Sequence, residues 1–167
     1  LLANPGPSLP VIHVNTGTLT IQSPLSGTTG FRKSGTGILA LESANTNTGT
    51  LQLSAGTLLL NGSLANTQIL ISAGATLSNT SGGLSPSAIL GNSGTLTMGA
   101  ADTIGTLMLS GGTVDGPGTL TANSVYLSGG TVAGKINGNT TSNGDVLVSG
   151  TLGGGSLDIT GGTLTLT

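Results

Sequence analysis

Short apolar stretches in which every second residue is aliphatic recur along the chain, each closed by Ser, Gly and Thr. In Leu107-Met108-Leu109 the two leucines share one side and Met108 takes the other, the two-residue period of a β-strand. One phrase returns: an apolar strand end, then Ser and Gly, then Thr followed by Leu or Val. It reads Leu53-Ser54-Ala55-Gly56-Thr57-Leu58, then Ile71-Ser72-Ala73-Gly74-Ala75-Thr76-Leu77, then Leu90-Gly91-Asn92-Ser93-Gly94-Thr95-Leu96. It continues as Leu109-Ser110-Gly111-Gly112-Thr113-Val114, Leu127-Ser128-Gly129-Gly130-Thr131-Val132 and Val148-Ser149-Gly150-Thr151-Leu152. The landmarks at 53, 71, 90, 109, 127 and 148 stand 18, 19, 19, 18 and 21 residues apart, and a last copy at Ile159 follows after 11.

A period near 19 is too short for paired-helix repeats and lacks the asparagine pattern of leucine-rich repeats. It suits one coil of a solenoid in which two or three strands complete a circuit and each pairs in parallel with its counterpart one coil away. The expected fold is all-β, a right-handed parallel β-helix with coils of about 19 residues. Leu58, Leu77, Leu96, Val114, Val132 and Leu152 are expected to stack inward. Thr57, Thr76, Thr95, Thr113, Thr131 and Thr151 are expected to form an outward ladder. A single coil buries too little to stand alone, whereas stacked coils share one interior, and each fully buried Leu or Val contributes roughly 1.5–3 kcal/mol.

Residues 1–10 read as a linker or extended arm, because Pro5, Pro7 and Pro10 disfavour interior strands. Residues 11–167 read as one β-helix, with irregular first coils over 11–49, where the strand spacing drifts, and regular coils over 50–167. Ser81 to Pro86 and Lys135 to Asn143 read as projecting loops, being rich in Gly, Ser and Asn. The chain opens on Leu1 rather than Met and stops in the alternating run Thr163 to Thr167, which suggests an excised or processed piece.

The run from Lys33 to Leu41 (Lys-Ser-Gly-Thr-Gly-Ile-Leu-Ala-Leu), followed by Ala44-Asn-Thr-Asn-Thr-Gly49, Ser54-Ala-Gly-Thr-Leu58 and Asn61-Gly-Ser-Leu64, resembles the autotransporter-associated β-strand repeat. The likeness covers about residues 32–80, with weaker echoes to the end. Asn47 stands where the repeat has Tyr, and its Gly-Gly-Thr-Thr element is missing. The resemblance implies a β-helical passenger region, exported across the envelope and found outside the cell or on the bacterial surface. It transfers no catalytic residue, since such repeats share none.

Composition narrows the chemistry. The 167 residues include 31 Gly, no Cys, no Trp and 5% charged residues, against about 25% in an average domain. Solubility must rest on Ser, Thr and Asn, and the interior on aliphatic layers. The net charge is −2 and the cations are Arg32, Lys33 and Lys135, so no basic face for nucleic acid exists. Between Glu42 and Asp102 no charge occurs, yet polar residues interrupt every apolar run, so no membrane-spanning segment is expected. Without Cys there are neither disulfides nor thiolate metal sites.

No catalytic, cofactor-binding or metal-binding residues emerge. His13, the sole histidine, lies between Ile12 and Val14 at an expected outward position and makes a Ser-His-Asp triad improbable. Asp102, Asp115, Asp145 and Asp158 fall at different phases of the repeat, unlike the grouped carboxylates of polysaccharide-cleaving β-helices, and read as solvated turn residues. Ice binding wants paired Thr-x-Thr on successive coils, whereas the second position here runs Leu59, Ser78, Thr97, Asp115, Ala133 and Gly153. The triplets beginning at Asn61, Asn79 and Asn139 meet the glycosylation pattern by chance in so Ser- and Thr-rich a chain. No cofactor is implied. The expected role is a stalk or adhesive shaft that meets a host or neighbouring-cell surface. The alternatives are a filament subunit joining copies of itself end to end through open strand edges, and, less favoured, a polysaccharide-acting enzyme.

Overall fold

The computed structural model describes residues 8–167, so most of the arm expected at 1–10 lies outside the described residues. Nineteen strands wind into a parallel β-solenoid of about nine coils with roughly 18 residues each, and the described residues contain no helix. At about 4.8 Å per coil the rod is about 40 Å long. Each coil lays strands on up to three faces.

The first face starts with Val11–His13, Gly30–Ser34, Thr50–Leu53, Gln68–Ile71 and Ile89–Asn92, each pairing in parallel with the next from coil to coil. It continues through the middle of the long strands Asp102–Asp115 and Thr119–Val132, the end of Lys135–Ser142, and Leu157–Ile159. The second face holds Thr18–Ile21, Ile38–Leu41, Gly56–Leu60, Ala75–Asn79 and Thr95–Met98, then the ends of the long strands, Val146–Val148 and Leu164–Leu166. The third face is thin at first, with Ala44–Asn45 against Ser63–Leu64, and becomes regular where Asp102, Thr119 and Lys135 open the long strands.

Alternation decides what enters the core. Leu107 and Leu109 are fully buried while Met108 between them is half exposed. The interior row of Leu58, Leu77, Leu96, Val114 and Val132 is borne out: successive members pair directly and all are fully buried. It extends backward to Leu39 and Leu19 and forward to Val148 and Leu166. Leu152 does not belong to it, because it pairs with Ile136 on the third face. The threonine ladder is likewise real from Thr57 to Thr131 but runs on to Leu147 and Thr165, not to Thr151.

Coil length, not the fold, is where the landmarks slip. Paired positions on the first face step by 15 residues from Tyr126 to Thr141 and by 21 from Leu70 to Gly91. Ile71 is paired with Asn92, not with Leu90, and Leu127 with Ser142, not with Val148. Lys135–Ser142 is thus a strand rather than a projecting loop: Ile136, Thr140 and Ser142 are buried beneath a polar composition. Residues 81–86 are not strand, yet they do not project freely either, since Leu84 plugs the core at 4% exposure and its amide donates to Asp102 Oδ2 at 2.7 Å.

Turns need glycine where coils approach closely. At Gly30, with φ of 75°, a Cβ would stand 2.0 Å from the Thr50 carbonyl oxygen one coil away.

Candidate functional site

Two outward columns run side by side along the first face. The central one reads Gln52, Leu70, Gly91, Met108, Tyr126, Thr141 and Asp158, each paired with the next. Two residues further along each strand, where the face turns toward the second, stands a column of hydroxyls: Ser72, Ser93, Ser110 and Ser128. Between Leu70 on one side and Met108 and Tyr126 on the other, Gly91 leaves a gap, and the result is an open groove of about 590 Å³. Leu70, Met108 and Tyr126 give it an apolar floor, and the serines edge it.

Two of the floor residues are among the large apolar side chains that the described residues leave exposed. Phe31 is buried, whereas Tyr126, the other aromatic residue, is 48% exposed and Met108 on the adjacent coil is 49% exposed. The edge is organised: Ser93 Oγ lies 3.0 Å from Ser110 Oγ, and Ser128 Oγ donates to the Leu109 carbonyl at 3.2 Å. No lining residue carries a charge at neutral pH.

Gly91 itself is not demanded by the backbone. Its φ is not in the left-handed region, and an added Cβ would meet only Leu70 Cδ2, at 3.1 Å. By contrast, at Gly94 in the following turn a Cβ would stand 2.3 Å from the Ala75 carbonyl oxygen.

The residues singled out in the sequence do not meet at this groove. His13 is exposed on the first coil, with Nδ1 2.9 Å from Ser34 Oγ. The four aspartates stay apart. Asp102 is a half-buried strand residue on the third face rather than a solvated turn residue: its Oδ2 accepts from Asn79 Nδ2 at 2.7 Å as well as from Leu84, and its Oδ1 from the Thr103 amide. Asp115 pairs with Thr97 on the second face and has one buried, unpartnered carboxylate oxygen, so it too departs from the expected turn role. Asp145 accepts from the Thr163 amide at 2.9 Å, and Asp158 lies on the first face beside Thr141. Asn79 is fully buried, so its triplet offers no accessible amide. Among the described residues no three His, Asp or Glu side chains converge as metal ligands would, and no helix is long and apolar enough to cross a membrane.

Another buried group was not anticipated. Lys33 points inward between Ile12 and Leu53, and its Nζ donates to the carbonyls of Ser34 at 3.2 Å, Gly35 at 2.6 Å and Ala55 at 3.0 Å. Burial lowers its pKa. The cage ties one corner to the next coil.

The groove could have been found from the phrase itself. The residues before the landmarks at 53, 71, 109 and 127 alternate outward, and they are Gln52, Leu70, Met108 and Tyr126. What hid it is that Gly91 is out of step with the landmark at Leu90.

Comparison with known proteins gives one informative likeness. The chain is 43% identical over 100 residues to the "Adhesin BmaC autotransporter" of Brucella suis biovar 1 (strain 1330). The aligned part is 58% of this chain and spans 3% of the adhesin's length. No protein-family model matches, and no solved structure matches. The likeness agrees with the repeat resemblance and indicates a location outside the cell or at its surface. In sequence and in fold, the chain is therefore similar to the β-helical passenger region of an autotransporter adhesin.

Proposed function

We propose that this chain is a shaft: a length of rigid solenoid that holds the adhesive parts of a larger surface protein away from the cell and takes some part in contact with its target. The observation that carries this reading is the unbroken aliphatic row from Leu39 to Val148, which makes one rod out of coils that could not fold singly. The similarity to an adhesin supports the adhesive element, and the scattered aspartates support a role without catalysis.

End-to-end assembly is the second reading, since each coil of the parallel ladder pairs only with its neighbours and offers a strand edge to whatever coil comes next. Such open edges accept another strand, whether from further coils of one chain or from a second copy. Electron microscopy of the purified chain separates the readings. Isolated short rods about 40 Å long are expected for the shaft; long fibres whose length grows with concentration would select assembly.

A further inference from the structure

We infer that the first-face groove is a binding site for an uncharged glycan, with sugar rings lying on Tyr126 and Met108 and their hydroxyls turned toward the serine column. This goes beyond the shaft reading, which stands or falls separately.

The occupant follows from what the groove offers and withholds. Its floor is apolar and in part aromatic, which suits a partner with a flat C–H face. Its edge is a ladder of hydroxyls, and each serine both donates and accepts. A pyranose ring has that division, with C–H groups on its faces and hydroxyls around its rim. Ligand sites in general combine a mainly apolar lining with a few polar groups that fix orientation. With no lining charge, an acidic polymer gains nothing here and pays the desolvation of its carboxylates.

A peptide strand is disfavoured by the backbone. Gln68–Ile71, Ile89–Asn92 and the middle segments of the next two strands are paired on both sides, so this face has no free edge to which a strand could add. Recognition has to pass through side chains. The groove also follows the rod axis over about four coils, or on the order of 14 Å, which suits a linear chain of sugars rather than a single one. Finally, glycine stands at residue 91 although the backbone there does not require it, an added Cβ meeting only the end of the Leu70 side chain. A β-branched or long residue would complete the column and close the groove.

Tyr126 is the single tyrosine in a chain without Trp, so tyrosine emission reports on the groove alone. The experiment titrates the full chain with neutral hexasaccharides of glucose, mannose and galactose, and with hexagalacturonate as the acidic counterpart. Emission and calorimetry are both followed. At least one neutral sugar is expected to change the emission saturably, with the acidic one binding more weakly.

Gly91→Leu, which keeps the fluorophore and whose Cβ meets only the flexible end of Leu70, is expected to weaken binding about tenfold or more, as is Tyr126→Ala read by calorimetry. Circular dichroism confirms that each variant keeps its strands. Thr95→Ala on the second face is expected to bind as the parent does. The inference is overturned if no neutral sugar binds, if binding survives both groove variants, or if the acidic sugar binds best. It is also overturned if Gly91→Leu instead abolishes self-association, which would assign the groove to a second copy. Rods seen by microscopy with no sugar bound would remove the glycan and leave the shaft intact.

Discussion

Lys33 shows how far a side chain's environment can depart from its residue type. It alternates with Phe31, both directed inward, while Arg32 between them faces out. Three carbonyls take its ammonium protons and no carboxylate is among its hydrogen-bond partners. The folded pKa is lowered by burial, so between that value and the unfolded value of about 10.4 the unfolded chain binds more protons. Stability is therefore expected to rise as alkaline pH climbs through that window and to be lower, by a constant amount, below it. Denaturant midpoints measured across the alkaline range check this, and in Lys33→Met the rise should vanish. Its place in the alternation with Phe31 was legible in the sequence, but the cage of carbonyls was not, because it is made by a corner on the next coil.

At the level of strands and corners, buried asparagines do what loops do elsewhere. Asn45 Oδ1 accepts from the Leu25 amide at 2.9 Å, and its Nδ2 donates to the carbonyls of Ser43 at 2.8 Å and Ser63 at 3.0 Å, joining three successive coils. Asn92 occupies a core position between Ile71 and Leu109, and uses it to bond the Gly94 amide and the Thr113 carbonyl. Asn45→Ala strands partners on both neighbouring coils and is expected to cost about 1–3 kcal/mol, measurable as a lower denaturant midpoint with faster amide exchange at Leu25.

These inward polar residues also explain what the sequence hid. A repeat sought through aliphatic landmarks passes over Asn92 and Ser142 and settles on Leu90 and Val148, the first two residues early in the same strand and the second on another face. The solenoid, the interior row and the threonine ladder were legible because Leu, Val and Thr recur there. The 15-residue step into Lys135–Ser142 was not, because its Asn and Thr content reads as a turn.

For the molecule as a whole, stability is a sum over neighbouring coils. Residues 50–67 make up one complete coil: Thr50 pairs back to Gly30 and forward to Gln68, and Thr57 pairs back to Ile38 and forward to Thr76. Removing them brings Gln68–Ile71 next to Gly30–Ser34 and, across a corner one residue longer, Ala75–Asn79 next to Ile38–Leu41. The shortened chain is expected to fold into a rod one coil shorter with a lower melting temperature and an unchanged β-type circular dichroism spectrum. Loss of all structure would show that the coils are not interchangeable.

The parallel ladders join each coil to the one above it, so their hydrogen bonds lie along the length of the rod. A pull along the axis of the rod would load those bonds end on, one rung of contacts at a time. Each coil that peels away frees about 18 residues of chain, on the order of 60 Å of slack in exchange for about 4.8 Å of folded height. Under tension such a rod is expected to lengthen in steps rather than part at once.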